Sequence, residues 1–174
     1  MTAYAALLRA VNVGGTGKLP MTELVAMCAA AGFTGARTYI ASGNVVFHSD
    51  ADEPGVKAAL EAALLAYAGK PVGVMVRTGA EMAAVAAANP FVGAPGNRVT
   101  AIFLDAPPPA DLMAGVTGLG KEEEVAPGVR EIYVRYGDGQ ADTKLKIRAA
   151  AAGTARNMNT VAKLAEWLNR PRIT

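Results

Sequence analysis

Arg37-Thr38-Tyr39-Ile40-Ala41-Ser42-Gly43-Asn44-Val45-Val46-Phe47-His48-Ser49 holds two short β-rich runs on either side of Gly43-Asn44. A Gly-Asn pair between such runs is a hairpin signal, because its residues tolerate the left-handed backbone a tight turn needs. The hairpin therefore joins strands at Arg37–Ser42 and Val45–Ser49. On its N-terminal side lies a helix that starts near Pro20, carries Leu24, Met27 and Cys28 as an i, i+3, i+4 stripe, and stops at Gly32. Before that helix, Thr2–Arg9 reads as a strand. On the other side, Pro54 opens an alanine-rich helix to about Ala68, and Val72–Arg77 is a fourth strand. Strand, helix, strand, strand, helix, strand is the split βαβ order of ferredoxin-like folds.

That topology makes a prediction about place. The first and third strands lie antiparallel and adjacent, so the end of the first meets the start of the third. Arg9, Asn12 and Lys18 are thereby expected beside Ser42, Gly43 and Asn44. The intervening loop, Val11-Asn12-Val13-Gly14-Gly15-Thr16-Gly17-Lys18, is rich in glycine. Gly14 and Gly15 let backbone N–H groups converge, Lys18 adds a point charge, and a helix N-terminus follows. The loop is not a P-loop: in the G-x-x-x-x-G-K-[ST] register Asn12 replaces the first glycine and Leu19 the hydroxyl residue. Its alternatives are an anion-binding loop and a plain tight turn.

The second half begins at Thr78, three residues before Glu81, as a capping box does. A helix follows to about Ala88, stopped by Asn89-Pro90. The pattern then predicts a strand at Val99–Leu104, a short helix at Pro107–Val116 and a strand pair at Glu122–Val125 and Glu131–Tyr136. Helices near Thr143–Ala152 and Thr160–Asn169 finish the chain, with no clear closing strand. The expected class is α+β: a ferredoxin-like βαββαβ N-terminal subdomain followed by a second, related α+β subdomain. All 174 residues form one domain, with subdomains of approximately 1–77 and 78–174.

Composition narrows the class. Hydrophobic residues make up 52%, but much of that is alanine, which buries little area. No apolar run approaches the roughly 20 residues that cross a bilayer. Cys28 is the only cysteine, and the start lacks a charged secretory leader, so the expectation is a cytoplasmic protein away from membranes. The net charge of +2 hides an asymmetry: Asp142–Thr174 carries +5 and the remainder −3. A basic tail on an acidic body points to an anionic contact or to a solvated helix face.

Four segments carry a family resemblance. Leu7–Gly15, Thr38–Phe47, Asn89-Pro90-Phe91 and Thr154-Ala155-Arg156-Asn157-Met158-Asn159-Thr160-Val161 resemble the signature blocks of the family known as domain of unknown function 1697. The resemblance implies a largely bacterial lineage and an α+β fold with ferredoxin-like subdomains, and it brings no established activity. The chain departs from the pattern at Ala10, where the family commonly has Gly, at Ala41, where Gln is frequent, and at Met158, where Trp is frequent. The last two changes remove a hydrogen-bonding and a stacking group.

Arg156, Asn157 and Asn159 precede the final helix, and one asparagine suffices to cap it. The other, with Arg156, Lys144 and Lys146, could contact phosphate at the helix start. Arg9 needs a carboxylate or a ligand if it is buried. Arg77 and Arg98 read as surface or loop arginines, Cys28 as a core thiol, and Glu122-Glu123-Glu124 as a solvated run. His48 ends a strand, and Trp167 packs against the body. No H-E-x-x-H, C-x-x-C or EF-hand spacing occurs, so neither a metal nor a cofactor is expected. The reading is a non-enzymatic module for a phosphate-bearing or other anionic ligand, with nucleotide and nucleic acid included. Its ligand set is Arg9, Asn12, Gly14, Gly15, Lys18, Ser42, Asn44, Lys144, Arg156, Asn157 and Asn159. The alternatives are an enzyme that stabilises charge on a small anionic substrate with Arg, Lys and Asn, and an interaction-only protein in which these motifs are braces.

Overall fold

The computed structural model describes residues 1–10, 18–138 and 142–170. Asn12, Gly14 and Gly15 lie outside the described residues. The chain divides into two compact units, Met1–Met82 with the segment from Leu164, and Ala83–Lys163.

The first unit follows the order β1 (Thr2–Leu8), α1 (Met21–Ala30), β2 (Thr34–Tyr39), β3 (Asn44–Ser49), α2 (Glu53–Ala68) and β4 (Val74–Thr78). Its sheet order is β2-β3-β1-β4, all antiparallel, so the unit is ferredoxin-like. Tyr4, Ala6 and Leu8 alternate onto one face of β1 and pack with Phe47 of β3, Leu24 and Cys28 of α1, and Val56, Leu60 and Leu64 of α2. Phe33 and Phe47 stack at 4.6 Å within this core. Ala5 and Leu7, pointing the other way, are also fully buried, which explains why β1 reads as an unbroken apolar run. Asp52 caps α2 by accepting from Gly55 N–H at 2.9 Å, and Gly69, at φ +72°, ends it.

The hairpin is real, but its turn is longer than Gly43-Asn44. Tyr39 pairs with Asn44, leaving Ile40–Gly43 as a four-residue connection, with Asn44 already inside β3. Arg77 corrects a second expectation. It lies in β4 and is 1% exposed, so it is an interior arginine rather than a surface one. Its Nη1 donates to Val76 O at 2.9 Å.

The second unit contains most of α3 (Gly79–Ala87), then β5 (Val99–Phe103), β6 (Val116–Thr117), β7 (Glu124–Pro127), β8 (Glu131–Arg135), β9 (Lys146–Ile147), β10 (Thr154–Asn157) and the start of α4 (Met158–Leu168). One sheet runs β10-β5-β8-β7, and β6 pairs with β9 as a separate ribbon. Ile102, Ile132 and Val134 form its core with Leu112, Leu145 and Ile147.

Three expectations for this half are corrected. Thr143–Ala152 is not a helix: Leu145 and Ile147 alternate with exposed Lys144, Lys146 and Arg148, a period-two pattern that makes β9, followed by one 3₁₀ turn at Arg148–Ala150. Pro107–Val116 gives only a 3₁₀ turn at Leu112–Gly115, since three consecutive prolines supply no N–H to a helical ladder. A closing strand does exist. Thr154–Asn157 pairs antiparallel with β5, Arg156 opposite Ala101, and its polar composition conceals a buried strand. Among the described residues, no helix is long and apolar enough to cross a membrane.

Candidate functional site

In the first unit the backbone brings the end of β1 to the start of β3. Leu7 pairs with Asn44, Leu8 N–H donates to Gly43 O at 2.8 Å, and Arg9 N–H donates to Gly73 O at 2.9 Å. The end of β1, the β2–β3 connection and the approach to β4 therefore meet at one end of the sheet. Arg9 lies one residue beyond β1 and is exposed, its aliphatic stem against Gly73. Lys18 is exposed directly before the buried Leu19. Asn44 is completely buried, and its amide donates to Tyr39 O and to Ser42 Oγ, both at 2.9 Å. One side chain thus ties the two ends of the connection together and sets the direction of Ser42. Ile40 sits at φ +51°, a conformation that a β-branched residue rarely adopts.

The second group lies in the other unit, on elements of two different sheets. Lys144 precedes the β6–β9 ribbon, where its carbonyl packs against Gly118. That glycine has φ +71°, and a Cβ there would stand 2.0 Å from the carbonyl oxygen. Arg156 is on the four-stranded sheet instead, 7% exposed, and donates through Nη1 to Thr154 Oγ1 at 2.6 Å and Ala155 O at 2.9 Å. Burial pulls its pKa down to about 10, so it is still a cation at neutral pH. Asn157 Oδ1 accepts from Thr160 N–H at 3.0 Å and caps α4. Asn159 is exposed at the first turn with its side chain over Gly96, where a Cβ could not fit.

Other polar features escaped the sequence reading. Arg37 Cζ lies 3.5 Å from the Trp167 ring centre, and Tyr39 meets that ring edge-on at 5.5 Å. This anchors the C-terminal turn of α4 on β2 within the first unit. The alternation that places Arg37 and Tyr39 on one face was legible; their partner far along the chain was not. The acidic run is more organised than expected: Glu123 accepts from Gly120 N–H at 2.7 Å and from Thr143 Oγ1, and Glu124 pairs with Arg135 at 2.6 Å. Cys28 is fully buried, and burial pushes its pKa up to about 12, so no thiolate nucleophile forms there near neutral pH. No group of three or more His, Cys, Asp or Glu among the described residues could hold a metal ion.

Comparison with known proteins agrees with the fold. The family model described as "Protein of unknown function (DUF1697)" matches residues 1–133. No curated protein matches the chain. Among solved structures, the chain is similar to the conserved bacterial protein SP0830 from Streptococcus pneumoniae. The TM-score is 0.77 at 22% identity, over 98% of this chain and 99% of that one.

Proposed function

The chain belongs to the DUF1697 family, and since that membership carries no activity, we propose from the site itself that the protein is a non-enzymatic module that binds a phosphate-bearing or other anionic ligand. The observation that carries this reading is an exposed arginine, Arg9, directly after Leu8, whose N–H bonds Gly43 O of the β2–β3 connection at the end of β1. Lys18 is the second cation of this segment. The guanidinium gives a planar donor fork, Lys18 a mobile point charge, and the Ser42 hydroxyl a short donor. Asn44 holds the connection in shape from inside, a positioning role that leaves the exposed groups to meet the ligand. Arg156 is assigned a bracing role on β10, where its Nη1 is turned onto its own strand.

Calorimetric titration with AMP, inorganic phosphate and a short single-stranded oligonucleotide, at low and moderate salt, tests the proposal. The expected result is binding that Arg9→Ala weakens at least about tenfold, the value of one charge-assisted contact, with little change in melting temperature. Arg156→Ala lowers the melting temperature and leaves affinity nearly unaltered. A steep fall in oligonucleotide affinity with salt identifies nucleic acid as the anion. Indifference to every anion overturns the proposal and favours braces.

A further inference from the structure

The second unit has a cleft that the reading above does not use. It measures about 450 Å³, walled by the segment Pro90–Ala94 on one side and by Glu124 and Arg135 on the other. That volume lies within the range of small-molecule sites. The first wall is preformed: Asn89 Oδ1 accepts from Phe91 N–H at 2.9 Å, and Ala94 N–H donates back to Phe91 O at 3.0 Å. It presents Pro90, Phe91 and Val92, the last 83% exposed, as an apolar surface next to a cation.

The cation is incompletely used. Arg135 ends β8 opposite Glu124 of β7, and its Nη2 donates to Glu124 Oε1 at 2.6 Å. Its Nε is a buried side-chain donor with no hydrogen-bond partner among the described residues. A buried N–H without an acceptor is unfavourable, and a guanidinium is built to give two parallel bonds to one carboxylate. Glu124 supplies only one, and its side chain is 56% exposed, so moving it into water costs little.

We propose that this cleft binds a small organic acid, its carboxylate taking Arg135 through Nε and Nη2 in place of Glu124 and its apolar or aromatic body resting on Phe91 and Val92. The apolar wall favours an organic carboxylate over inorganic phosphate, which has nothing to lay against it. The site is independent of Arg9.

Ligand-detected NMR titration of the Arg9→Ala protein, in which the other proposed anion site is disabled, with phenylacetate and hexanoate, set against phenylacetamide, hexanamide and inorganic phosphate, tests the proposal. The acids bind at least about tenfold more tightly than the amides and than phosphate, since a charge-assisted pair is lost or the wall goes unused. Arg135→Gln removes that preference. In the same background Glu124→Gln tightens acid binding several-fold by removing the internal competitor. Glu124→Gln alters only an exposed carboxylate, so it remains informative if Arg135→Gln fails to fold. Equal binding of acids and amides, absence of acid binding, or unchanged or weaker acid binding by Glu124→Gln overturns the proposal.

Discussion

Ala10 sits at φ +54°, in the left-handed region where a side chain collides with its own backbone. Glycine adopts that conformation without the clash. Ala10→Gly is therefore expected to raise stability by up to about 1 kcal/mol in chemical denaturation, the relief of strain outweighing the added freedom of the unfolded chain. Asn44 makes the opposite case. Its buried amide holds Tyr39 O and Ser42 Oγ, so Asn44→Ala strands one backbone carbonyl and is expected to cost about 1–3 kcal/mol. The sequence marked Asn44 as polar and placed at a turn, but the register that draws it into β3 is a tertiary fact. Arg77 escaped for the same reason: a lone arginine at a strand end looks solvated until both faces of the sheet are known to be buried.

The elements most legible from sequence were those whose signals are local. Thr78 and Glu81 form the reciprocal capping box that their spacing implies, with Thr78 N–H donating to Glu81 Oε1 at 2.9 Å and Glu81 N–H to Thr78 Oγ1 at 3.2 Å. Thr78→Ala and Glu81→Ala should each cost about 1 kcal/mol, and the double variant close to their sum, because each removes a different one of the two bonds. Urea denaturation of the three variants measures this. By contrast, β10 and β9 were hidden. Alanine-rich Ala149–Ala152 imitates a helix, and Thr154–Asn157 lacks the β-branched run of a buried strand, becoming one only because β5 lies alongside. At the candidate site, the meeting of the end of β1 with Gly43 and Asn44 followed from topology. The division between Lys144 and Arg156 did not, since it depends on a ribbon that two-residue strands cannot announce.

For the whole molecule, alkaline stability is a sum of opposed titrations. Cys28 has its pKa raised from 9.0 to about 12 by burial, so between those values the unfolded chain sheds a proton that the folded chain keeps, and stability falls as pH rises. Tyr133, raised from 10.0 to about 12 by burial and then by Glu131, acts in the same direction. Arg156, lowered from 12.5 to about 10 by burial, acts in the opposite one, because above that pH the folded state releases its proton first. Net stability should therefore decline from about pH 9, and Cys28→Ala should make the decline shallower in denaturation measured across that window. The proposed function rests on a different property of the molecule, the exposed cation at the end of its first sheet. The most direct measurement is an amide ¹H–¹⁵N chemical-shift titration with AMP. Shifts concentrated at Leu8, Arg9, Leu19, Ser42, Gly43 and Asn44, and lost in Arg9→Ala, are the predicted result. Saturating AMP that leaves those amides unmoved would contradict the account.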